Sequence, residues 1–455
     1  MELTVSGIYD IKIDDLAYGG KGIGRIENFA VFVPYSVPGD ELKIKITNKK
    51  SNFAEAEIIS IIKLSTFRTI PECKIFGRCG GCNWLHINYN SQLKYKQKIV
   101  IDSFERIGNQ KAIKVEEIIP SPNIFHYRNK MDFAFGKDDS EQFTLGFHKI
   151  GEFHRVINVE NCLLPPPFFN DILKIIRRFT HERNLEPYNP ITHTGFLRSL
   201  IVRHAKTSDE ILISIFTNDG EFPDIDKLID LLIKQFPNIK GIQLGIHRSV
   251  SDFARLDEEK LFYGQKFIIE KINGVQYRIS PLSFFQTNTQ GTEILYRTIK
   301  DFADLESYQN LLDLYSGTGG IALYLAKYVK KVVGIEEVKD AVWDARENAT
   351  LNKIDNTIFL LGDVKTTLPK FIRNSGYEFD VIVVDPPRNG MHKKVVNTIL
   401  SLMPRTLIYV SCNPTTLSRD IMAITSGGYK ITKIQPIDMF PHTYHIETVV
   451  KLVKL

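Results

Sequence analysis

Apolar and polar positions alternate along residues 8–13, 30–34, 41–47 and 54–61, the period of half-buried β-strands. Gly19-Gly20-Lys21-Gly22-Ile23-Gly24 and the turn Pro38-Gly39-Asp40 lie between these runs. Short strands and glycine-rich turns in so small a segment predict a β-barrel of the oligonucleotide-binding type over residues 1–62. Residues 91–106 read as a helix. Residues 125–285 mix both periods, with helices expected at 171–179 and 224–235 and strands at 211–216 and 241–246. An α+β central domain is therefore expected over residues 63–290.

From about residue 291 the pattern becomes regular. Apolar runs at 311–314, 331–335, 357–361, 379–384 and 406–410 predict strands, and 321–329 and 339–352 predict helices between them. Strands and helices alternating at this spacing make βαβ units, so residues 291–455 should form a Rossmann-like α/β domain on a mostly parallel sheet.

Composition narrows the class. Hydrophobic residues make up 43% of the 455 and charged residues 24%, which excludes collagen-like and wholly disordered chains. No apolar run reaches the ~18 residues of a spanning helix, and Met1-Glu2-Leu3-Thr4 does not open a secretory signal. A reducing cytoplasmic setting is the expectation, with no membrane partner. The net charge is +5, but residues 61–130 alone carry 12 basic and 5 acidic side chains. That local excess points to nucleic acid more strongly than the total. Lys94, Lys96, Lys98, Arg128 and Lys130 are its candidate phosphate contacts.

The same segment holds Cys73, Cys79 and Cys82. Zinc usually takes two close pairs of ligands. Three clustered thiolates and one remote one, Cys162, suit a 4Fe-4S cluster better. The spacing also differs from the Cys-x3-Cys-x2-Cys of radical enzymes, and Cys162 closes the fourth position.

In the last domain Asp313-Leu314-Tyr315-Ser316-Gly317-Thr318-Gly319-Gly320 joins a strand to a helix, and Glu336 ends the next strand. A dinucleotide would ask for a third glycine two residues on, where Ile321-Ala322 stand. Asp313 suits the cationic amino group of S-adenosylmethionine instead, and Asp363 after the third strand suits an adenine amine. Asp385-Pro386-Pro387-Arg388 follows another strand, as in enzymes that methylate amines or bases. Ser411-Cys412-Asn413-Pro414 follows the next, and Glu447 precedes a final strand expected at 448–452.

At these residues the chain resembles the RNA (uracil-5-)-methyltransferases over nearly its full length. The resemblance rests on Cys-x5-Cys-Gly-Gly-Cys, Tyr127-Arg128-Asn129-Lys130, Ser283-Phe284-Phe285-Gln286-Thr287-Asn288, Asp385-Pro386-Pro387-Arg388, Ser411-Cys412-Asn413-Pro414 and His445-Ile446-Glu447. It implies that residues 1–62 are an RNA-binding TRAM barrel. It implies Cys412 as nucleophile, Glu447 as base, and Gln286, Tyr315, Glu336 and Asp385 at the cofactor, beside Asp313, Gly317 and Asp363. It also implies the 4Fe-4S cluster on Cys73, Cys79, Cys82 and Cys162. Many members have Cys where Ser316 stands, a near-isostere expected to be harmless, and a polar residue where Gly320 stands, which puts one side-chain contact to the cofactor in doubt.

The chemistry asks for such a pair. Uracil C5 becomes nucleophilic once a thiolate adds to C6, and a base must then remove the C5 proton. The Cys412 thiol is therefore expected to have a lowered pKa. The base must leave its stack, and Phe284 is the candidate to receive it. An inert RNA-binding factor would lack this nucleophile and base, and a cytosine-C5 enzyme would carry a cysteine beside Asp385. The expected substrate is 23S rRNA, with the T-loop uridine of tRNA as the alternative; DNA is not expected, and the chain should be a monomer.

Overall fold

The computed structural model describes residues 3–250 and 257–455. Strands β1 (Ile8–Leu16), β2 (Gly22–Ile26), β3 (Phe29–Val33), β4 (Glu41–Lys49) and β5 (Phe53–Lys63) close into a barrel in the order β1-β2-β3-β5-β4. Alternate residues turn inward, and Ile11, Ile13, Val31, Val33, Leu42, Ile44 and Ile46 fill the interior. A long loop carrying three cysteines leads to α1 (Tyr89–Arg106), capped by Asn88, whose side chain accepts from the Ser91 amide.

The central sheet contains β6 (Lys130–Lys137), β7 (Phe143–Lys149), β8 (Glu152–Asn158), β9 (Leu197–Ala205), β10 (Glu210–Thr217), β11 (Ile239–Ile246) and β12 (Glu258–Gly264). Its order is β12-β11-β10-β9-β6-β7-β8, with only β10 and β11 parallel. Helices α2 (Phe168–Glu182) and α3 (Ile225–Gln235) bury their apolar stripes against it. The hairpin β13 (Ile268–Ile272) and β14 (Val275–Ile279) follows, turning at Asn273 and Gly274 with φ of 47° and 92°. Positive φ at both turn residues is the geometry that suits the right-handed twist of the strands.

The hairpin bridges the central sheet and the last domain: the Ile269 amide donates to Glu210 of β10 at 2.8 Å, while its apolar face joins the core of the last domain. Its Ile272, Val275 and Tyr277 share one core with Leu295 and Ile299 of α4 (Thr289–Ala303). The remaining elements are β15 (Asn310–Leu314), α5 (Gly320–Ala326), β16 (Lys331–Glu336), α6 (Lys339–Leu351), β17 (Thr357–Leu361), α7 (Val364–Ser375), β18 (Val381–Val384), α8 (Lys393–Leu402), β19 (Thr406–Ser411), α9 (Pro414–Ser426), β20 (Tyr429–Ile437) and β21 (Glu447–Lys454). The sheet order is β17-β16-β15-β18-β19-β21-β20, parallel except for β21. The central strands β15, β18 and β19 are almost wholly buried because helices cover both sheet faces, whereas edge strand β20 alternates buried and exposed positions. The helix expected at 321–329 stops at Ala326, and the strand expected at 379–384 begins at Val381. No helix of the described residues is long and apolar enough to cross a membrane.

Helix α1 packs on the last domain as well, placing Ile99, Val100 and Phe104 against Leu417, Ile421 and Ile424 of α9. From there it anchors the loop 438–446 between β20 and β21. Lys96 Nζ lies 2.6 Å from Asp438 Oδ1 with both side chains fully buried, and also donates to the Phe440 carbonyl at 3.0 Å. Gln92 accepts from the His442 amide at 2.8 Å. Asn83 and Trp84 amides donate to the His442 carbonyl, each at 3.0 Å. Tyr127 and Asn288 donate to the Pro441 and Met439 carbonyls at 3.2 and 3.0 Å. Removing one partner of a buried pair strands the other charge, which costs about 3–5 kcal/mol. Lys96→Met and Asp438→Ala should each lower stability by that order in urea titrations, and Lys96→Met with Asp438→Leu should recover most of it.

Candidate active site

The carboxyl ends of β15 and β18 lie side by side where the winding of the sheet reverses, the position at which open α/β sheets form their ligand crevice. The turn after β15 is unusual in its backbone. Tyr315 has φ 66°, and Gly317 and Gly319 have φ 53° and 81°. A Cβ on Gly320 would overlap the Tyr296 hydroxyl, so this glycine is demanded by packing from α4. Glu336 at the end of β16 locks the turn. Its carboxylate accepts from the Gly317 amide at 3.0 Å and from the Val338 amide at 2.9 Å.

Asp313 is 1% exposed and no hydrogen bond of ordinary geometry satisfies either of its oxygens; the Ala322 amide alone approaches them. Burial, then the nearby Asp385, push its carboxyl well above the usual range; only the Ala322 amide opposes this. Burial likewise pushes Asp385 up to about 7. Such a pair calls for a cation. Asp363 caps α7, accepting from the Lys365 amide at 2.9 Å and pairing with its ammonium at 2.8 Å. Those bonds hold it below the usual carboxylate range and leave it at the cleft's rim.

Gln286 belongs to a segment pinned at several points. The Asn129 amide donates to the Thr287 carbonyl at 2.8 Å, and the Asn129 side chain to the Gln286 carbonyl at 3.2 Å. Ser283 donates to Asp344 at 2.6 Å, and Arg203 to the Pro281 carbonyl at 3.0 Å. Between these anchors Phe284 is 71% exposed, which removes the possibility that it is a core phenylalanine.

The strand register brings Cys412 and Glu447 together. Ser411 pairs with Thr448 across the antiparallel strands β19 and β21, so the next residue outward on each side is Cys412 and Glu447. Asn413 caps α9, accepting from the Thr415 amide at 3.0 Å, and its side chain donates to the Arg388 carbonyl at 2.9 Å. This ties the Asp-Pro-Pro-Arg turn to the cysteine turn. Glu447 is 5% exposed; burial, then Asp385, push its carboxyl well above normal, and Arg388 eases it.

The thiol departs from expectation. Instead of being lowered, the Cys412 pKa is pushed up to about 12, by burial first and then by Glu447 and Asp385. Arg388 is the side-chain cation that opposes this. It also faces His445 across 3.5 Å. Its role was missed in the sequence because its motif gives it no spatial partner.

Cys73, Cys79, Cys82 and Cys162 are free thiols that lie near enough to act on one another electrostatically. Burial raises the Cys162 thiol to about 11, and Cys79 and Cys73 add to the effect. Cys82 is raised by burial and by all three others. The Gly81 amide donates to Cys79 Sγ at 3.4 Å. Among the described residues, however, no three His, Cys, Asp or Glu side chains are set to hold a metal ion. The donor chemistry fits a thiolate-bound group, while a closed coordination shell is not formed.

The basic residues divide. Lys96 is no phosphate contact, because its ammonium is wholly buried against Asp438. Lys98 is held between Asp15 and Asp102, and Lys94 lies 5.7 Å from the centre of the Phe67 ring. Lys130 pairs with Asp132 at 2.9 Å, and Arg128 donates to the Lys130 carbonyl at 3.0 Å.

A glycine turn at a switch point, an acid ending the next strand and an unpartnered carboxylate beside it define the fold and cleft of an adenosylmethionine-dependent methyltransferase. The tRNA (uracil-5-)-methyltransferase family model matches residues 88–455, and a TRAM domain model matches residues 3–59. The chain belongs to that family of RNA methyltransferases. It is 37% identical over 452 residues to an uncharacterized RNA methyltransferase of Bacteroides thetaiotaomicron, covering 96% of this chain and 99% of the relative. A second, from Chlorobaculum tepidum, is 37% identical over 460 residues, covering 97% and 95%. Among solved structures, the Pyrococcus abyssi tRNA (uracil-54, C5)-methyltransferase in complex with S-adenosyl-L-homocysteine matches with a TM-score of 0.79 at 30% identity. That match covers 97% of this chain and 100% of the other.

The carboxyl cluster sets a pH dependence. An Asp raised in the folded state keeps its full stability below its unfolded pKa of about 3.9. That contribution is lost as pH rises toward the folded value of about 7 for Asp385. Asp385→Asn should therefore melt progressively higher than the unchanged protein as pH climbs from 4 to 7, with the gap constant above that. Thermal melts across a buffer series, without added cofactor, check this.

Proposed function

We propose that the protein transfers a methyl group from S-adenosylmethionine to C5 of a uridine in RNA through a covalent bond between Cys412 and uracil C6. The observation that carries this reading is the juxtaposition of Cys412 and Glu447 at one edge of a cleft floored by Asp385 and the unpartnered Asp313. Bound adenosylmethionine would supply an electrophilic methyl group on a sulfonium. Asp313 would hold its ammonium, Glu336 its ribose, Asp363 its adenine amine, and Gln286, Tyr315 and the Gly317 turn its flanks.

Cys412 forms an S–C6 bond, and C5 becomes the enolate carbon that takes the methyl group as S-adenosylhomocysteine leaves. Glu447 then removes the C5 proton, and the S–C6 bond breaks to return the thiolate. Two observations support activation of so elevated a thiol. Asp385 and Glu447 raise it, and a cation seated at the carboxylates would cancel their field. Arg388 and the N-terminus of α9, which begins at Pro414, add positive potential on the same side.

Exposed Phe284 is suited to stack on the flipped uracil, with Arg128 and Lys130 near the entering strand. Cys73, Cys79, Cys82 and Cys162 would hold a 4Fe-4S cluster of structural kind, which their mutual proximity and the Gly81–Cys79 bond support. We read the protein as a cytoplasmic monomer acting on 23S rRNA. The tRNA T-loop uridine is the second reading, favoured by the full-length likeness to the Pyrococcus abyssi enzyme.

Cys412→Ala should abolish transfer from labelled cofactor to unmodified RNA, and full turnover by it would sink the mechanism. Glu447→Gln should accumulate an RNA–protein adduct on denaturing gels that is absent when Cys412→Ala is added. After anaerobic reconstitution, each of Cys73→Ala, Cys79→Ala, Cys82→Ala and Cys162→Ala should lose visible absorbance, whereas Cys412→Ala should keep it. Mass mapping of RNA from a strain lacking the gene separates the substrates: a methyl missing from 23S rRNA supports the first reading, one missing from tRNA alone the second.

A further inference from the structure

The barrel does more than sit beside the catalytic domain. Its β1–β2 loop reaches the nucleophile, although the two are 394 positions apart in sequence. The Tyr18 hydroxyl donates to the carbonyl oxygen of Cys412 at 3.5 Å. The Tyr18 ring meets Tyr444 edge-on with centroids 5.6 Å apart. Tyr444 lies in the loop that leads to Glu447. One barrel residue thus touches both turns that carry the reacting groups.

The loop is built to hold that position. It closes on itself through the Ala17 amide to the Lys21 carbonyl at 2.8 Å and the Gly20 amide to the Ala17 carbonyl at 3.0 Å. The fully buried Trp84 donates to the Gly20 carbonyl at 3.1 Å. Gly20 has φ 89°, and a Cβ there would press on Tyr444 and Trp84 at 3.1 and 3.3 Å. Burial, then Cys412, raise the Tyr18 hydroxyl to about 12, so it remains a donor at neutral pH.

We propose that Tyr18 is a positioning residue of the methyl-transfer site, restraining the Cys412 turn from the barrel side and completing the wall of the uracil pocket. This rests on the covalent reading of Cys412. It makes the barrel a part of the catalytic centre as well as an RNA-binding module.

The test uses the full-length protein with Tyr18→Phe, which keeps the ring, and Tyr18→Ala, which removes it. Two quantities are read: the iodoacetamide alkylation rate of Cys412 without RNA, located by peptide mass, and the single-turnover methylation rate at saturating RNA. Loss of one hydrogen bond should release the turn, so Tyr18→Phe should alkylate roughly threefold to tenfold faster at Cys412. The other cysteines should be unchanged, and methylation should slow by a similar factor. Tyr18→Ala should exaggerate both effects. A slower reaction with unchanged RNA affinity supports positioning. Wild-type alkylation and turnover in Tyr18→Phe, or a loss confined to RNA affinity, would overturn it. If the unchanged enzyme methylates no uridine, the covalent reading fails, while the alkylation rates still report whether Tyr18 restrains Cys412.

Discussion

The Lys96–Asp438 ion pair anchors the loop that carries the chain to Glu447. It joins α1, which precedes the central sheet in sequence, to the loop immediately before Glu447, and both of its side chains are fully buried. An unpaired ammonium or carboxylate there would carry a heavy desolvation cost, so the two elements have one low-energy relative position. Around this pair the loop 438–446 is tied by Gln92, Trp84, Tyr127 and Asn288, residues from three different stretches of chain. Glu447 is positioned by the whole molecule and not by its own strand alone.

The electrostatics of the cleft follow a complementary logic. Asp385 disfavours ionisation of both Asp313 and Glu447, and Cys412 lies in the field of Asp385 and Glu447. Without a cation the cleft is a store of unfavourable charge. A sulfonium and an ammonium would relieve it, which links cofactor capture to thiol activation through one set of carboxylates. Arg388, bound to the cysteine turn through Asn413, is the protein's own contribution of opposite sign.

Much of this was legible in the residues. Alternating apolar positions marked four of the five barrel strands, and apolar runs marked the core of the last sheet to within a few residues. The glycine turn, Cys412 and Glu447 each stood at a strand end, where a parallel sheet directs side chains into its crevice. What was not legible depends on contacts across long separations. Lys96 looked like a phosphate ligand because its partner lies 342 positions away. The Cys412 thiol was expected low because its sequence neighbours do not reveal that Asp385 and Glu447 surround it. Helix α1 falls before the central sheet in sequence yet packs on the last domain, and the β13–β14 hairpin joins the core of that domain as well as touching the central sheet, since much of the apolar face that covers each comes later in the chain.

Strand β21 follows β19 and β20 in the chain but lies between them, paired on both sides. A growing polypeptide therefore presents the Cys412 thiol well before the carboxylate that would work with it. The facing edges of β19 and β20 find their ladder partners only in β21, so the last strand of the chain closes the sheet and sets Glu447 beside Cys412 in the same step.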